Sequence, residues 1–555
     1  MRFPRIGIRR QVVSDFKNST VYQIYIKSFC DANGDGVGDL NGIRSRLPYL
    51  KSLGVDYVWV TPFFRSPMND NGYDISDYYA VNPMFGTMAD VEAMLREADA
   101  LGIGFMFDMV FNHTSTEHAW FQKALSGDPE YMDYYIFRDG VDGHAPTNWE
   151  SKFGGSAWEY VPSLDKWYLH LFDVSQADLN WENPKVREEL KNVIRFWKGK
   201  GVKGFRFDVV NLISKPERFE DDSEGDGRRF YTDGRHVHEF LRELVADTGI
   251  GDMVTVGEMS STSLDNCVRY TRPEDRELSM CFSFHHLKVD YKDGDKWALA
   301  EPDLKKLREL FQVWQEEMER QGGWNALFWC NHDQPRAVSR FGDDRAYWKE
   351  SAKMLATFTH LMRGTPYIYQ GEELGMTNAG FTDIAQYRDV ESTNYYKILL
   401  DKELSSDEAL HILAQRSRDN ARTPMQWTAG AHAGFSTAEP WLGIPENYRT
   451  INVESEEDDP DSILNYYRKL VQLRKEQPII AGGDIRFLET GNDRVIAYER
   501  NLGDGRVTVV CSFSGNAETI DEALAERFQA GTVLIGNYAE RRDVLRPFEA
   551  VAVMC

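Results

Sequence analysis

Eight short apolar runs, rich in β-branched and aromatic residues, recur along the chain with longer helical patterns between most of them. They are VYQIYI from Val21, VDYVWV from Val55, GFMFDMV from Gly104, GFRFDVV from Gly204, VTVGEM from Val254, LSMCFSF from Leu278, ALFWCNHD from Ala326 and PYIYQGEE from Pro366. Runs that stay apolar instead of alternating suit strands buried on both faces, which is the condition inside a parallel sheet covered by helices. Stretches such as DVEAMLREADALG from Asp90 and VREELKNVIRFWKGKG from Val186 supply the helices, and each ends in glycine, a common stop. Eight such units predict an α/β protein built on a (β/α)₈ barrel.

With 555 residues, the chain exceeds a bare barrel of about 250 residues. The gap between the third and fourth runs is longer than one helix needs and is dense in Trp, Tyr, Gly and Asp. It reads as an inserted subdomain, residues 112–180, at the carboxyl end of the barrel where active sites form. Beyond residue 477 the pattern turns to short alternating strands, DIRFLET, RVIAYER and RVTVVCSF, between Gly, Asn and Asp turns. Residues 478–555 are therefore expected to form an antiparallel β domain, leaving 1–111 and 181–477 to the barrel.

A formal charge of -24 disfavours nucleic acid and anionic membrane as partners. A phosphorylated substrate would need cationic groups concentrated locally against that background. The opening MRFPRIGIRRQVVSDF lacks the apolar stretch and cleavage site of a secretory signal, and no segment has the length of a membrane span. Cys30, Cys267, Cys281, Cys330, Cys511 and Cys555 show neither metal-type spacing nor a disulfide framework, so reduced thiols and a cytoplasmic location are expected. The chain is expected to act as a monomer on a small molecule.

Acidic residues collect at the carboxyl ends of the expected strands, the catalytic rim of a barrel: Asp208 ends GFRFD, Glu258 ends VTVGE and Asp333 ends WCNHD. Any one alone would more often cap a helix, but three converging on one mouth suit retaining glycoside hydrolysis, which needs a nucleophile and a proton donor close together. Arg206, two residues before Asp208 on the same strand face, can hold the nucleophile's charge. Glu258 must carry a proton near neutral pH, which requires partial desolvation or a nearby carboxylate, and Asp333 could supply that repulsion. His113 and His332 each sit beside a polar rim residue and are read as partners of sugar hydroxyls.

DMVFNH at Asp108, GFRFD at Gly204, VGE at Val256 and NHD at Asn331 resemble, in order, the four signature regions of glycoside hydrolase family 13, the α-amylase family. The resemblance implies Asp208 as nucleophile, Glu258 as acid/base, Asp333 as the third carboxylate, and Arg206, His113 and His332 as substrate-pocket ligands. DNGYD at Asp70 and RDNARTPMQW at Arg418 resemble the exo-acting oligo-1,6-glucosidase branch, in which Asp70, Tyr73 and Arg422 would close the pocket around one terminal glucose. Val209, directly after the nucleophile, resembles branch members that cleave α-1,6 or α-1,1 bonds.

The segment DANGDGVGD presents Asp31, Asn33, Asp35 and Asp39, with the Val37 carbonyl among them, as oxygen ligands at mostly alternate positions. That pattern suits a structural hard cation, Ca²⁺ first and Mg²⁺ second, and the same segment binds a metal in similar family members. GDGRRFYTDG at Gly225, VGEMSSTSLDNC at Val256, HHLKVDYKDGDKW at His285 and WNALFWCNHDQPR at Trp324 resemble trehalose-6-phosphate hydrolases. In that reading His285, His286, Lys288 and Lys296 lie near the pocket mouth, with Lys288 and Lys296 receiving the phosphate. Dextran and oligo-1,6-glucosidases acting on isomalto-oligosaccharides are the rival reading, and a sucrose isomerase the next.

Overall fold

A computed structural model describes residues 16–540 and 544–555. The opening fifteen residues, with the basic stretch discussed above and the start of the barrel segment 1–111, lie outside the described residues.

Eight parallel strands form one sheet: β1 Val21–Ile24, β2 Tyr57–Val60, β3 Gly104–Val110, β4 Gly204–Asp208, β5 Val254–Met259, β6 Met280–Ser283, β7 Ala326–Leu327 and β8 Thr365–Tyr369. Their spatial order, 6-5-4-3-2-1-8-7, is chain order wrapped around a cylinder. A single parallel bridge, Cys281 with Asn325, joins β6 to the start of β7 and closes it. Each strand coincides with one of the apolar runs, because only residues buried on both faces can occupy the wall between an aromatic interior and a helical jacket. The seventh run is the exception in length: only Ala326–Leu327 are extended, and the following Phe-Trp-Cys-Asn-His-Asp leaves the ladder, so β7 delivers Asp333 on irregular backbone.

The helices carry their own start and stop signals. Met88–Leu101 opens with a reciprocal capping box between Thr87 and Asp90 and stops at Gly102, whose φ of 73° is left-handed. Pro184–Gly199 starts from the Asn183 side chain, with proline in its first turn.

Between β3 and Pro184–Gly199, the strand His113–Ser115 pairs with Gln176–Asp178, tying the two ends of the insertion together. A small sheet of Phe137–Arg138, Lys166–Leu169 and Trp158–Val161 lies between them. The long connection after β4 packs onto this insertion through Trp149, whose ring stacks on Phe230 at 5.7 Å and whose Nε1 donates to the Glu220 carbonyl. That contact leaves no room for a side chain at Gly227, where a Cβ would stand 2.4 Å from the indole.

A five-stranded antiparallel sheet of Asp484–Leu488, Val495–Leu502, Gly505–Ser512, Ala550–Met554 and Thr532–Gly536 ends the chain, with one helix, Glu522–Ala530, crossing it. It is fixed to the helix Trp348–His360 by Tyr498, which donates to the Phe358 carbonyl, and by Arg500, which donates to that of Leu361. Cys30, Cys267, Cys281, Cys330 and Cys511 are buried thiols and Cys555 is exposed. No helix among the described residues is long and apolar enough to cross a membrane.

Candidate active site

The register of the barrel sets the distance between the two central carboxylates. Phe207 of β4 pairs with Gly257 of β5, so the next residues, Asp208 and Glu258, stand level on adjacent strands. Such strands run ~4.8 Å apart. Both side chains reach a cavity of about 250 Å³ at the carboxyl end of the barrel, and both residues are mostly buried.

Arg206 holds them from below. Its Nη1 donates to Asp208 Oδ1 at 2.6 Å and to Asp108 Oδ1 at 2.7 Å, and its Nη2 contacts Glu258 Oε2. Burial would lower the pKa of this guanidinium, but Asp108 and Asp208 raise it, so it stays charged. Asp108 also accepts from Trp59 Nε1 at 3.0 Å and the Tyr73 hydroxyl at 2.9 Å, while burial pushes its carboxyl up to about 6 against the pull of Arg206.

Asp333 is held from another direction. Arg422 Nη2 lies at 2.7 Å, and Arg418 Nη1 and His332 Nε2 both at 3.3 Å. Burial would raise its pKa, yet His332, Arg418 and Arg422 keep the carboxyl well below the ordinary range. Glu258 is thus paired with Arg206, whereas Asp333 is tied to the arginine pair.

Asp70, Tyr73 and His113 line the cavity. Asp70 accepts from Arg418 at 3.3 Å and from Gln176 at 3.1 Å, and burial pushes it up to about 7. His113 lies with Nε2 3.1 Å from the Tyr73 carbonyl, and burial lowers its pKa. His332 and Arg422 sit behind this layer. The His332 ring lies flat against Tyr73, 5.1 Å between centroids, and burial brings its pKa down to about 3. Arg422 braces Asp333, Asp389 and the His332 carbonyl.

Lys288 and Lys296 both line the cavity, but in different states. Lys296 is paired with Glu391 at 2.7 Å. Lys288 has no ion pair among the described residues, and burial together with Arg228 lowers its pKa. His285 and His286 do not line the cavity: His285 packs on Trp314, and His286 turns inward to the Phe328 carbonyl at 2.9 Å. A short helical turn, His285–Lys288, rotates successive side chains to different sides, so only Lys288 of the three faces the cavity.

Sequence reasoning missed four contributors. Arg418 opens the RDNARTPMQW segment and joins Asp70, Asp333 and Asp389; its position at the head of that motif was the available signal. Asp108 begins DMVFNH and was equally readable. Asp389 had no distinguishing local pattern. Lys152, from the insertion, lines the cavity near Lys288 with its ammonium unpaired by any carboxylate among the described residues, and burial and Arg228 bring it down to about 8. Nothing local to Lys152 announces it, because its role depends on how the insertion folds back.

The Asp31–Asp39 loop follows β1, and none of its residues lines the cavity. Asp31 accepts from the amides of Gly34 and Gly36 and from Ser436, Asp35 from that of Val37, and Asp39 from those of Ala32, Asn33 and Gly42. Among the described residues no three His, Cys, Asp or Glu side chains gather in a metal-holding group.

Residues 23–483 match the family described as alpha amylase, catalytic domain. The chain is 52% identical over 545 residues to a trehalose-6-phosphate hydrolase of Bacillus subtilis (strain 168), covering 97% of each. It is 46% identical to an oligo-1,6-glucosidase of Parageobacillus thermoglucosidasius, covering 96% of this chain and 98% of the relative. Its fold superposes on the crystal structure of Bacillus licheniformis trehalose-6-phosphate hydrolase with a TM-score of 0.92 and 52% identity, over 97% of this chain and 99% of the other.

Proposed function

The chain belongs to the α-amylase family, and from that premise we propose that it is a retaining, exo-acting α-glucosidase that splits trehalose 6-phosphate into glucose and glucose 6-phosphate. Asp208 attacks the anomeric carbon while Glu258 gives its proton to the departing oxygen; water then releases the glucose, with Glu258 taking the proton back. The level placement of the two carboxylates on adjacent strands favours the short separation, ~5 Å, of a double-displacement pair over the wider gap that an inverting enzyme needs. Asp70, His113 and Arg418 converge on the end of the cavity where the terminal glucose would sit, and Asp333, fixed as an anion, would bind its hydroxyls.

The observation that carries the substrate is the pair of lysines, Lys152 and Lys288, which face the cavity without carboxylate partners in a chain of net charge -24. Two half-buried ammonium groups without carboxylate partners are poorly compensated unless an anion arrives to neutralise them. A phosphate on the second glucose is such an anion. Lys296 would contribute if Glu391 released it. The rival is an oligo-1,6-glucosidase acting on isomalto-oligosaccharides, which the 46% relative supports, and a sucrose isomerase is the third reading. Turnover of trehalose 6-phosphate, isomaltose and sucrose side by side tests all three: a preference for the phosphorylated sugar is expected, dominant isomaltose cleavage transfers the assignment to the rival, and isomer formation from sucrose removes simple hydrolysis.

We also propose that the loop of Asp31, Asn33, Asp35, Val37 and Asp39 holds a structural Ca²⁺ or Mg²⁺. Its donors are all oxygen, the chemistry a hard cation requires, and each carboxylate oxygen bonded to an amide retains a further lone pair. Bound there, the ion would stiffen the loop after β1 and take no part in the chemistry. A cytoplasmic, monomeric enzyme completes the reading.

A further inference from the structure

Asn211 lies three residues after Asp208 and is fully buried, yet it does not line the cavity. Its side chain acts as a peptide group toward the neighbouring strand end. Nδ2 donates to the Ser260 carbonyl at 2.8 Å, and Oδ1 accepts from the Ser260 amide at 2.9 Å. Ser260 is two residues past Glu258, so the clamp ties the chain that carries one central carboxylate to the chain that carries the other. We propose that Asn211 is a positioning residue that fixes the spacing of Asp208 and Glu258, an inference that rests on the hydrolase reading above.

The local backbone explains why a clamp is needed. Val209, between Asp208 and Asn211, has φ 34° and ψ 39°, and Ser261, directly after Ser260, has φ 55°. Left-handed conformations at non-glycine residues are strained and persist only where surroundings over-determine them, the more so at a β-branched valine. Both strained turns flank the clamp. No ladder can serve instead, because the β4–β5 register stops at Phe207 with Gly257.

Asn211 is itself held. Its Nδ2 reaches Asp233 Oδ1 at 3.2 Å, and its carbonyl accepts from the Asp233 amide at 2.9 Å. Asp233 accepts further from Tyr270 at 2.7 Å and from Thr262 and Asn266 at 2.9 Å each, groups of the β5 connection and its helix. The amide is thus oriented from both sides, with its oxygen and nitrogen assigned by distinct partners.

The test is Asn211→Ala in the full chain, with kcat and KM measured on an aryl α-glucoside, whose phenolate leaves unaided, and on methyl α-glucoside, whose leaving oxygen must be protonated. General acid catalysis contributes roughly 10²–10⁴-fold. Misplacing Glu258 relative to Asp208 should therefore lower kcat on the methyl glucoside about 100-fold and on the aryl glucoside less than about 10-fold, with KM on both within about 3-fold. Asn211→Ser, uncharged and smaller, should show the same selectivity if the alanine variant does not fold, since one hydroxyl cannot make both bonds to Ser260. Equal loss on both substrates, or no loss, in a folded variant overturns the proposal alone. A wild-type chain inert on both glucosides and on trehalose 6-phosphate overturns the hydrolase reading and the proposal with it. If only trehalose 6-phosphate is cleaved, the same kcat comparison of variant with wild type is made on it at saturating concentration, and an unchanged kcat, or a loss carried by KM, overturns the proposal.

Discussion

Replacing Lys288 by alanine should remove recognition of the phosphate while sparing catalysis. Lys288 lines the cavity, is half-buried and has no ion pair among the described residues, so its ammonium is free to meet a ligand and is only partly screened. A hydrogen bond to a charged group contributes about 1.5–3 kcal/mol, or roughly 12- to 150-fold in affinity. The bare Coulomb attraction at ~4 Å and an effective dielectric of ~20 gives ~4 kcal/mol per unit charge, a ceiling that phosphate desolvation reduces. Because Lys152 remains, kcat/KM for trehalose 6-phosphate should fall about 30- to 100-fold, mainly through KM, and that for a neutral aryl α-glucoside by less than about 2-fold. The phosphate becomes a dianion above pH ~6. Lys152, brought down to about 8 by burial and Arg228, loses its proton as pH climbs through that value. The wild-type ratio of the two kcat/KM values should therefore be highest between those limits, and should shrink with added salt. Equal loss on both substrates, or a ratio flat from pH 5 to 9, would refute the reasoning.

Asp208→Asn should lower kcat by several orders of magnitude with the fold intact by circular dichroism, since the covalent route depends on that carboxylate; near-normal turnover would remove the assignment. Asp389 is fully buried, and although burial would raise its pKa, Arg418 and Arg422 hold it below the usual range. Its folded value thus lies under the unfolded ~3.9, and the stability it contributes is present above about pH 4 and lost as pH falls through the depressed value. Asp389→Asn should be destabilised by about 1.5–3 kcal/mol at pH 7, because Arg418 and Arg422 each lose one carboxylate while keeping Asp333, and the gap in Tm to wild type should narrow below pH ~4; a constant gap would contradict this. Chelation should lower Tm by several degrees, with Ca²⁺ or Mg²⁺ restoring it and Asp35→Ala abolishing the effect, while kcat of the folded enzyme stays unchanged; an unaltered Tm would leave the loop stabilised by its own amides.

The barrel and its principal carboxylates were legible because their causes are local. A strand buried on both faces must be apolar at successive residues, so each of the eight announces itself, and a catalytic acid at a strand's end follows from the strand. Arg206 could be placed beside Asp208 from the two-residue repeat alone, and its Nη1 meets that carboxylate at 2.6 Å. The turn His285–Lys288 was less readable, since three basic residues in a row give no hint of which one faces the cavity.

Local sequence therefore carried the order of elements, the rim on which the candidate site sits and the placement of Asp208, Glu258 and Asp333 on that rim. Tertiary structure alone decided which charges are neutralised and which are left open: Arg418 and Arg422 bind Asp333 and Asp389, Glu391 takes Lys296, and Lys152 arrives from the insertion beside an unpaired Lys288. The reason is range. Backbone periodicity and capping act over a few residues and are written in the neighbouring letters, whereas the partner of a buried charge is whichever group the folded chain brings within a few ångströms, often hundreds of residues away.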